Sequence, residues 1–419
     1  MKFLHMSDLH LGAPVRGFVD LAPEWAARLQ RAIPEAYDRA IDAAIARAVD
    51  FVVIAGDAFD TSKPSYGDYL RFFEGLERLD AAGIPSYLVA GNHDPYTTWA
   101  RDVERLPGSA HLLGVDGPEF ALFSRQSGDG NAVPECLIAG RSYHNQTWPA
   151  DQPIAGGISR AAAAEALGTD APFAIGVIHT GLDIDTAKAP ADQAKLLDTG
   201  IDYWACGHLH QRLVRPTPDN PRVVFPGCLQ ARDIKETGER GCYLVELEQG
   251  APPHLEFIPT SSVVFQQLEV DVGACQTLAD LVHLVQARLF RENGQVHCDE
   301  MIVRVTLTGA TALHGFLLKS GIMSELRNRI NDAYPGFFCD ALVRRTTPAD
   351  EDTTSPFPQV VREIAAEESA RETVLINYVQ NELVKRGIAV PSSLSHRVGE
   401  FNATAEALVL DLLRESDDE

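Results

Sequence analysis

The sequence predicts an α/β layered protein carrying a second, smaller α/β unit behind the first. Three observations lead there. The first half alternates short apolar runs with segments of helical period. Some runs, such as FVVIA at 51–55, are apolar throughout, which marks strands buried on both faces. The 419 residues, 45% hydrophobic, 8% aromatic and 23% charged, give ample apolar surface for a core and length for two or three domains.

In order, residues 3–6 predict a short strand. Residues 34–48 place Tyr37, Ala40, Ile41, Ala44 and Ile45 on one helical face, with Pro34 suited to the first turn. Residues 51–55 are a strand, 69–79 a helix stopping near Gly83, and 86–90 the next strand. Residues 137–140, 173–178 and 203–206 repeat the strand theme. The composition shifts after about Thr260. There 267–272, 278–290, 301–307, 316–330 and 338–343 read strand, helix, strand, helix, strand. TTSPFP at 353–358 reads as a linker. Beyond it a helix carries Val361, Ile364, Leu375, Tyr378, Val379 and Leu383, ending near Gly387, and a last one carries Leu408, Val409, Leu412 and Leu413. The expected division is 1–262, 263–346 and 347–419.

Seven cysteines without a C-x-x-C pair argue against a disulfide framework and a structural zinc site. The opening MKFLHMSDLHLG is broken by Asp8 and does not read as a signal peptide. No apolar stretch is long enough to span a bilayer. The expectation is a cytoplasmic protein that does not enter a membrane. The net charge of −23 argues against strong autonomous binding to nucleic acid, because phosphate contacts want Lys and Arg. Some carboxylates belong to solvated acidic runs at 349–352 and 415–419.

Five segments carry chemistry: SDLH at 7–10, GDAFD at 56–60, GNHD at 91–94, IHTG at 178–181 and GHLH at 207–210. Each falls at the carboxyl end of a predicted strand, where ligand crevices form in open α/β sheets. On an extended backbone, residues two apart point the same way, so Asp8 pairs with His10 and His208 with His210, while Leu209 turns away. The mixture of carboxylate, imidazole and amide oxygen, with no thiolate, suits Mn²⁺ or a similar octahedral cation. Any one segment alone is a commonplace turn. Five in this order at strand ends are not.

These segments, in this order, resemble the calcineurin-like metallophosphoesterase superfamily. Up to about Leu247 the chain is similar to the nuclease subunit of the SbcCD DNA repair complex. FPGCLQARDIKETGERG at 225–241 resembles a stretch of SbcD-like exonucleases of the YhaO type. That stretch reads as turns closing the second sheet, apart from the metal chemistry. The resemblance implies a four-layered α/β/β/α core, a capping domain at 263–346, two divalent metal ions (Mn²⁺ first) and DNA as substrate. It also implies C-terminal helices that dock on an SbcC-like coiled-coil ATPase, and a homodimer that would place two sites on one DNA. It divides the ligands as Asp8, His10, Asp57 and His210 for one metal and Asp57, Asn92, His179 and His208 for the other. His93, left without a metal, is the candidate acid–base or charge-stabilising residue beside the bridging Asp57. Asp60 departs from the pattern, standing where some nuclease relatives have histidine.

Asp60, His144 and Arg212 are candidate substrate contacts, with Tyr143, Arg215 and Arg222 as further ones. Cys206 reads as a small buried hydrophobe, and His5 and His111 as structural or exposed. The leading function is DNA exonuclease, with endonuclease action as an extension. A phosphomonoesterase, cyclic-nucleotide phosphodiesterase or protein phosphatase on the same scaffold is the competing class. A non-enzymatic scaffold fits worst, since a purely structural site needs neither a shared aspartate nor a spare histidine.

Overall fold

The computed structural model describes residues 1–349 except 20, 100–104, 127–130, 299 and 333, together with Glu363 and Lys385. The linker and helices expected beyond residue 350 lie outside the described residues. Met1–Thr347 form one compact unit.

Along the chain the elements are β1 (Lys2–Met6), α1 (Pro23–Ala46), β2 (Phe51–Ala55), α2 (Tyr66–Ala81), β3 (Ser86–Val89), α3 (Tyr96–Trp99), β4 (Ala110–Leu112), β5 (Glu119–Gln126) and β6 (Ala132–Arg141). Then follow α4 (Arg160–Leu167), β7 (Phe173–His179), α5 (Gln193–Leu197), β8 (Tyr203–Gly207), β9 (Leu213–Thr217), β10 (Asn220–Phe225), β11 (Gly241–Glu246) and β12 (His254–Pro259). The last group is β13 (Val264–Asp271), α6 (Leu278–Asn293), β14 (Met301–Thr311), α7 (His314–Leu318), α8 (Ile322–Asn331) and β15 (Phe337–Pro348).

Two six-stranded sheets, in the orders β12-β11-β1-β2-β3-β4 and β5-β6-β7-β8-β10-β9, pack face to face between helices. The period-two pattern of the strands decides each layer. Leu4, Met6, Val52, Ile54 and Leu88 point from the first sheet onto α1 and α2, meeting Ala36, Tyr37, Ala40, Phe72 and Leu76. Their neighbours Phe3, Phe51, Val53, Tyr87 and Val89 point inward and meet Ile138, Ile175, Val177, Tyr203 and Ala205 of the second sheet. The far face of that sheet sets Ala174, Trp204 and Phe225 against Ala163 of α4 and Leu196 of α5. The result is a four-layered α/β/β/α core. Each large side chain buried between the sheets contributes about 1.5–3 kcal/mol.

β1 to β4 run parallel to one another, as do β6, β7, β8 and β10. Their carboxyl ends therefore line up along one edge of the sandwich, where the chemically loaded segments lie.

Helix α1 starts eleven residues earlier than the sequence suggests, at Pro23, with Pro34 in its interior. The apolar face is continuous through Trp25, Leu29, Ala32 and Ile33, all buried. That packing offsets the hydrogen bond a mid-helix proline cannot make. The same face holds the third sheet, β13-β14-β15, whose Phe265, Ile302 and Phe338, with Val263 just before β13, pack with Trp25, Leu29 and Ala32. The helix expected at 316–330 is broken into α7 and α8, the second entered through Gly321 at φ +84°. No helix among the described residues is long and apolar enough to cross a membrane.

The segment at 225–241 corrects the expectation attached to it. It is a crossing from β10 of the second sheet to β11 of the first rather than a set of turns closing one sheet. The third sheet braces it: Gly238 N–H donates to Phe265 O at 2.9 Å, and Gln267 Nε2 donates to Ile234 O at 3.2 Å.

Candidate metal centre

The five segments converge on that one edge. Asp8 and His10 follow β1, Asp57 and Asp60 follow β2, Asn92 and His93 follow β3, His179 ends β7, and His208 and His210 follow β8. They do not converge on extended backbone, as the i, i+2 argument supposed. Asp8, His10, Asp57 and His208 have φ of 52°, 48°, 53° and 106°, four of the seven non-glycine residues in that region among those described. Such conformations cost about 1–3 kcal/mol each and concentrate where function requires them. Two glycines make room. A Cβ on Gly91 would meet Asp57 Oδ1 at 2.1 Å, and one on Gly207 would meet Ala55 O at 2.0 Å.

At the inner end, His179 Nδ1 donates to Ala55 O at 2.9 Å. A carbonyl only accepts, so Nε2 is the nitrogen turned to Asp57 Oδ2 at 3.4 Å and Asn92 Oδ1 at 3.2 Å. His208 repeats the arrangement: Nε2 faces Asp185 Oδ2 and Nδ1 faces Asn92 Oδ1, both at 3.2 Å. At the outer end, His210 Nδ1 donates to Glu236 Oε1 at 2.6 Å, while its Nε2 lies 3.1 Å from His10 Nε2. His10 Nε2 is also 3.8 Å from Asp57 Oδ2 and 3.9 Å from Asp8 Oδ1. Asp8 is anchored by Ser7 Oγ at 2.6 Å and by the His208 backbone N–H.

The donor set fits divalent cations. Each of His179, His208 and His210 sets one ring nitrogen against an oxygen acceptor outside the cluster and turns the other to oxygens or nitrogens that also offer lone pairs. Such an arrangement needs protons or cations between its members. Asp8 with His10 and His210, and Asp8 with Asp57 and His179, each bring ligand atoms within 4.8 Å of one another. Burial would depress His179, but Asp57 and Asp8 outweigh it and raise it to about 9. Burial pushes Asp57 and Asp8 upward, yet the neighbouring histidines, His179 foremost, hold both below the ordinary carboxylate range. His10 and His208 are lowered, chiefly by burial.

Four side chains that the sequence reading gave no role brace the centre. Asp94, fully buried, accepts backbone N–H groups from Asp57 at 3.2 Å, Ala58 at 2.8 Å, Phe59 at 3.3 Å and Gly91 at 2.8 Å, fixing the turn that presents Asp57. Burial and the charge on Asp57 push its carboxyl up to about 8 against those bonds. Asp185 steers His208. Glu236 steers His210, whose hydrogen bond pulls the Glu236 carboxyl down to about 2 despite burial. Arg232 pairs with Asp60 and sets Nη2 3.3 Å from His210 Nε2. The segment at 225–241 thus touches the candidate ligands directly, contrary to expectation. Asp94, Arg232 and Glu236 lay inside quoted motifs as charged residues without an assigned task, and Asp185 lay outside them.

His93 Nδ1 donates to Asp60 O at 2.8 Å, so Nε2 is the nitrogen left to act. His93 lines a cavity of about 570 Å³ with Asp57, His208, His210, Arg212, Arg232 and Glu236. Arg212 lies over the Phe257 ring at 3.9 Å. Asp60 is half-buried, 3.3 Å from His10 Nδ1. His144 sits exposed against Tyr96, its ring centroid 5.8 Å away. Tyr143 is buried with its hydroxyl unpartnered among the described residues and its ring 5.8 Å from that of His179. Arg222 is not free for a phosphate, since it donates to the Ile201 and Asp202 carbonyls. His5 is buried against the Tyr203 hydroxyl at 2.9 Å, and Cys206 is buried as a small hydrophobe.

Comparison with known proteins agrees with this geometry. Residues 265–347 match the family described as the middle domain of metallophosphoesterase YhaO. The chain is 32% identical to an uncharacterized metallophosphoesterase, YhaO, of Bacillus subtilis (strain 168) over 73% of this chain and 72% of that protein. It is 27% identical to the DNA double-strand break repair protein Mre11 of Aeropyrum pernix over 65% of this chain and 64% of that one. For Mre11 of Thermoplasma acidophilum the figures are 26%, 64% and 65%. Residues 1–212 match the family described as calcineurin-like phosphoesterase, and the chain is a member of that family of metal-dependent phosphoesterases.

Proposed function

We propose that the chain hydrolyses DNA phosphodiester bonds with two divalent cations, Mn²⁺ foremost, as an end-processing exonuclease that works with an SbcC-like ATPase. The observation that carries this is the convergence of Asp8, His10, Asp57, Asn92, His179, His208 and His210 on one sheet edge, with a cavity beside them walled by His93, Arg212 and Arg232. The likeness to proteins named for double-strand break repair supports DNA as the substrate class.

In this reading Asp8, His10, Asp57 and His210 hold one cation, and Asp57, Asn92, His179 and His208 the other. Bound there, the cations supply Lewis acidity, drawing charge from phosphoryl oxygens and acidifying water. Asp57 spans both ends, and Asp94 keeps it in place through the backbone around it. Asp185 and Glu236 fix the orientation of His208 and His210. His93, its Nδ1 tied to Asp60 O, uses Nε2 to steady the developing charge or deliver a proton to the leaving oxygen. Asp60, Arg212 and His144 are the candidate substrate contacts around this centre. The net charge of −23 is met by a partner that supplies much of the grip on DNA, and a two-fold dimer sets two sites on one duplex. Seven buried, unpaired cysteines accord with a reducing, cytoplasmic setting.

The test incubates the full chain and Mn²⁺ with end-labelled double-stranded DNA, single-stranded DNA and p-nitrophenyl phosphate esters. A D57A/H93A chain controls for contaminating nuclease. DNA degradation by the parent alone supports the reading, and the product ladder gives polarity. Hydrolysis of small esters without DNA cleavage, persisting when the ATPase and ATP are added, removes DNA as the substrate.

A further inference from the structure

We propose that Arg232 is a catalytic residue that grips a phosphoryl oxygen of the substrate at the His210 end of the centre, with Asp60 as the residue that positions it. The inference rests on the two-cation reading above and names a further group in that same site.

The guanidinium lines the cavity together with Asp57, His93, His208 and His210. One arm is fixed, since Nη1 donates to Asp60 Oδ1. Asp60 is fixed in turn: its carboxylate lies 3.3 Å from His10 Nδ1, and its backbone carbonyl takes the His93 Nδ1 hydrogen. The main chain of Arg232 is held as well. Its N–H donates to Glu236 Oε2 at 2.6 Å, while the other oxygen of that carboxylate accepts from His210 Nδ1 at 2.6 Å. One carboxylate thereby locks the arginine backbone to the histidine ring.

The remaining donors are the telling ones. Nε is buried without a hydrogen-bond partner among the described residues. Nη2 points at His210 Nε2, 3.3 Å away. That nitrogen has a single lone pair. In the cation-free pocket it can accept from Arg232. Once given to a cation it cannot, and Nη2 is left beside positive charge with no acceptor. A donor so placed in a half-buried site is unfavourable until an anionic oxygen enters. A phosphoryl oxygen meets that demand, and guanidinium is the side chain whose planar donors suit it. Arg212, the other arginine in the cavity wall, instead lies over the Phe257 ring.

The competing role for Arg232 is a strut that only ties the loop to Asp60. The experiment uses the full chain loaded with Mn²⁺ and the variants Arg232→Gln and Arg232→Lys. It reads three quantities: bound manganese by mass spectrometry, affinity for inorganic phosphate by calorimetry, and turnover of bis(p-nitrophenyl) phosphate. Arg232→Gln should keep its manganese while its phosphate affinity falls about 10- to 100-fold, the range of a hydrogen bond to a charged group. Arg232→Lys, which keeps a charge on Asp60, should recover part of that loss. Unchanged phosphate affinity in Arg232→Gln overturns the proposal. So does loss of manganese from both variants, which identifies a strut. A parent chain that neither binds phosphate nor turns over the diester sinks the two-cation reading itself, and this inference with it. An active parent with indistinguishable variants removes Arg232 alone.

Discussion

The two ends of the histidine cluster are held in different ways. At the inner end, His179 leans on a backbone carbonyl, Ala55 O, whose place is set by the pairing of β1, β2 and β3. At the outer end, His10 and His210 lean on side chains: Asp60, Arg232 and Glu236, two of them from the crossing between β10 and β11. A backbone acceptor cannot be mutated away and comes with the fold. A side-chain partner can be lost singly, and the reach of Arg232 and Glu236 depends on a loop braced by the third sheet. His179 is therefore held by the sandwich itself, His208 beside it by the Asp185 side chain, and the outer end by side chains alone, two of them from this chain's own loop.

Substitutions should divide along that line. Asp57 belongs to both ends, so Asp57→Ala should strip manganese from both and lower diester hydrolysis by at least about 10²–10³-fold, the loss seen when one preorganised charge-stabilising group is removed. Manganese content and turnover measured on one preparation decide it, and a variant retaining both would break the picture of a shared aspartate. Glu236→Gln should weaken manganese at the outer end about 10- to 100-fold, as for other partners that orient metal-binding histidines, and leave the inner end unchanged. Two-phase titration calorimetry reads this, and equal weakening at both ends would erase the contrast. His93→Ala should retain manganese while turnover falls at least about tenfold. Unchanged turnover would remove His93 from the chemistry.

The smallest expected effect is a pH dependence in the metal-stripped protein. Folding raises His179 from 6.5 to about 9, so its pairing with Asp57 and Asp8 contributes fully below pH 6.5 and fades as pH rises through about 9. Stability in chelator should accordingly decline over that window, followed by denaturant unfolding. His179→Asn should flatten the decline, and an equally steep slope in that variant would assign it to other groups. Manganese uptake near neutral pH should also release a proton from the site.

Much of the ligand set was legible because it is local. Short apolar runs followed at once by Asp8, Asp57, Asn92 and His179 place those residues on a sheet edge, and parallel pairing does the rest. The outer bracing was not legible because its contacts are long-range. Glu236 and His210 are 26 residues apart, and Asp60 and Arg232 are 172 apart. The motifs flag His210 and Asp60, but nothing in the local pattern of Glu236 or Arg232 shows which of those residues each one meets. The segment at 225–241 reads as turns from its proline and glycines, and only the crossing from one sheet to the other reveals what it carries. Helix α1 was cut short for a related reason: Pro34 reads as a first-turn residue, a signal overridden by the continuous face that Trp25, Leu29 and Ala32 present to Phe265 and Ile302. The strain at Asp8, His10, Asp57 and His208 is likewise invisible in sequence, since none of the four is glycine.

The most direct test of the central claim is anomalous diffraction from crystals of the full chain grown with Mn²⁺. The account predicts two manganese peaks, both touching Asp57, one bounded by His10 and His210 and the other by Asn92, His179 and His208. A single peak, or a pair of which one lies away from Asp57, would contradict it.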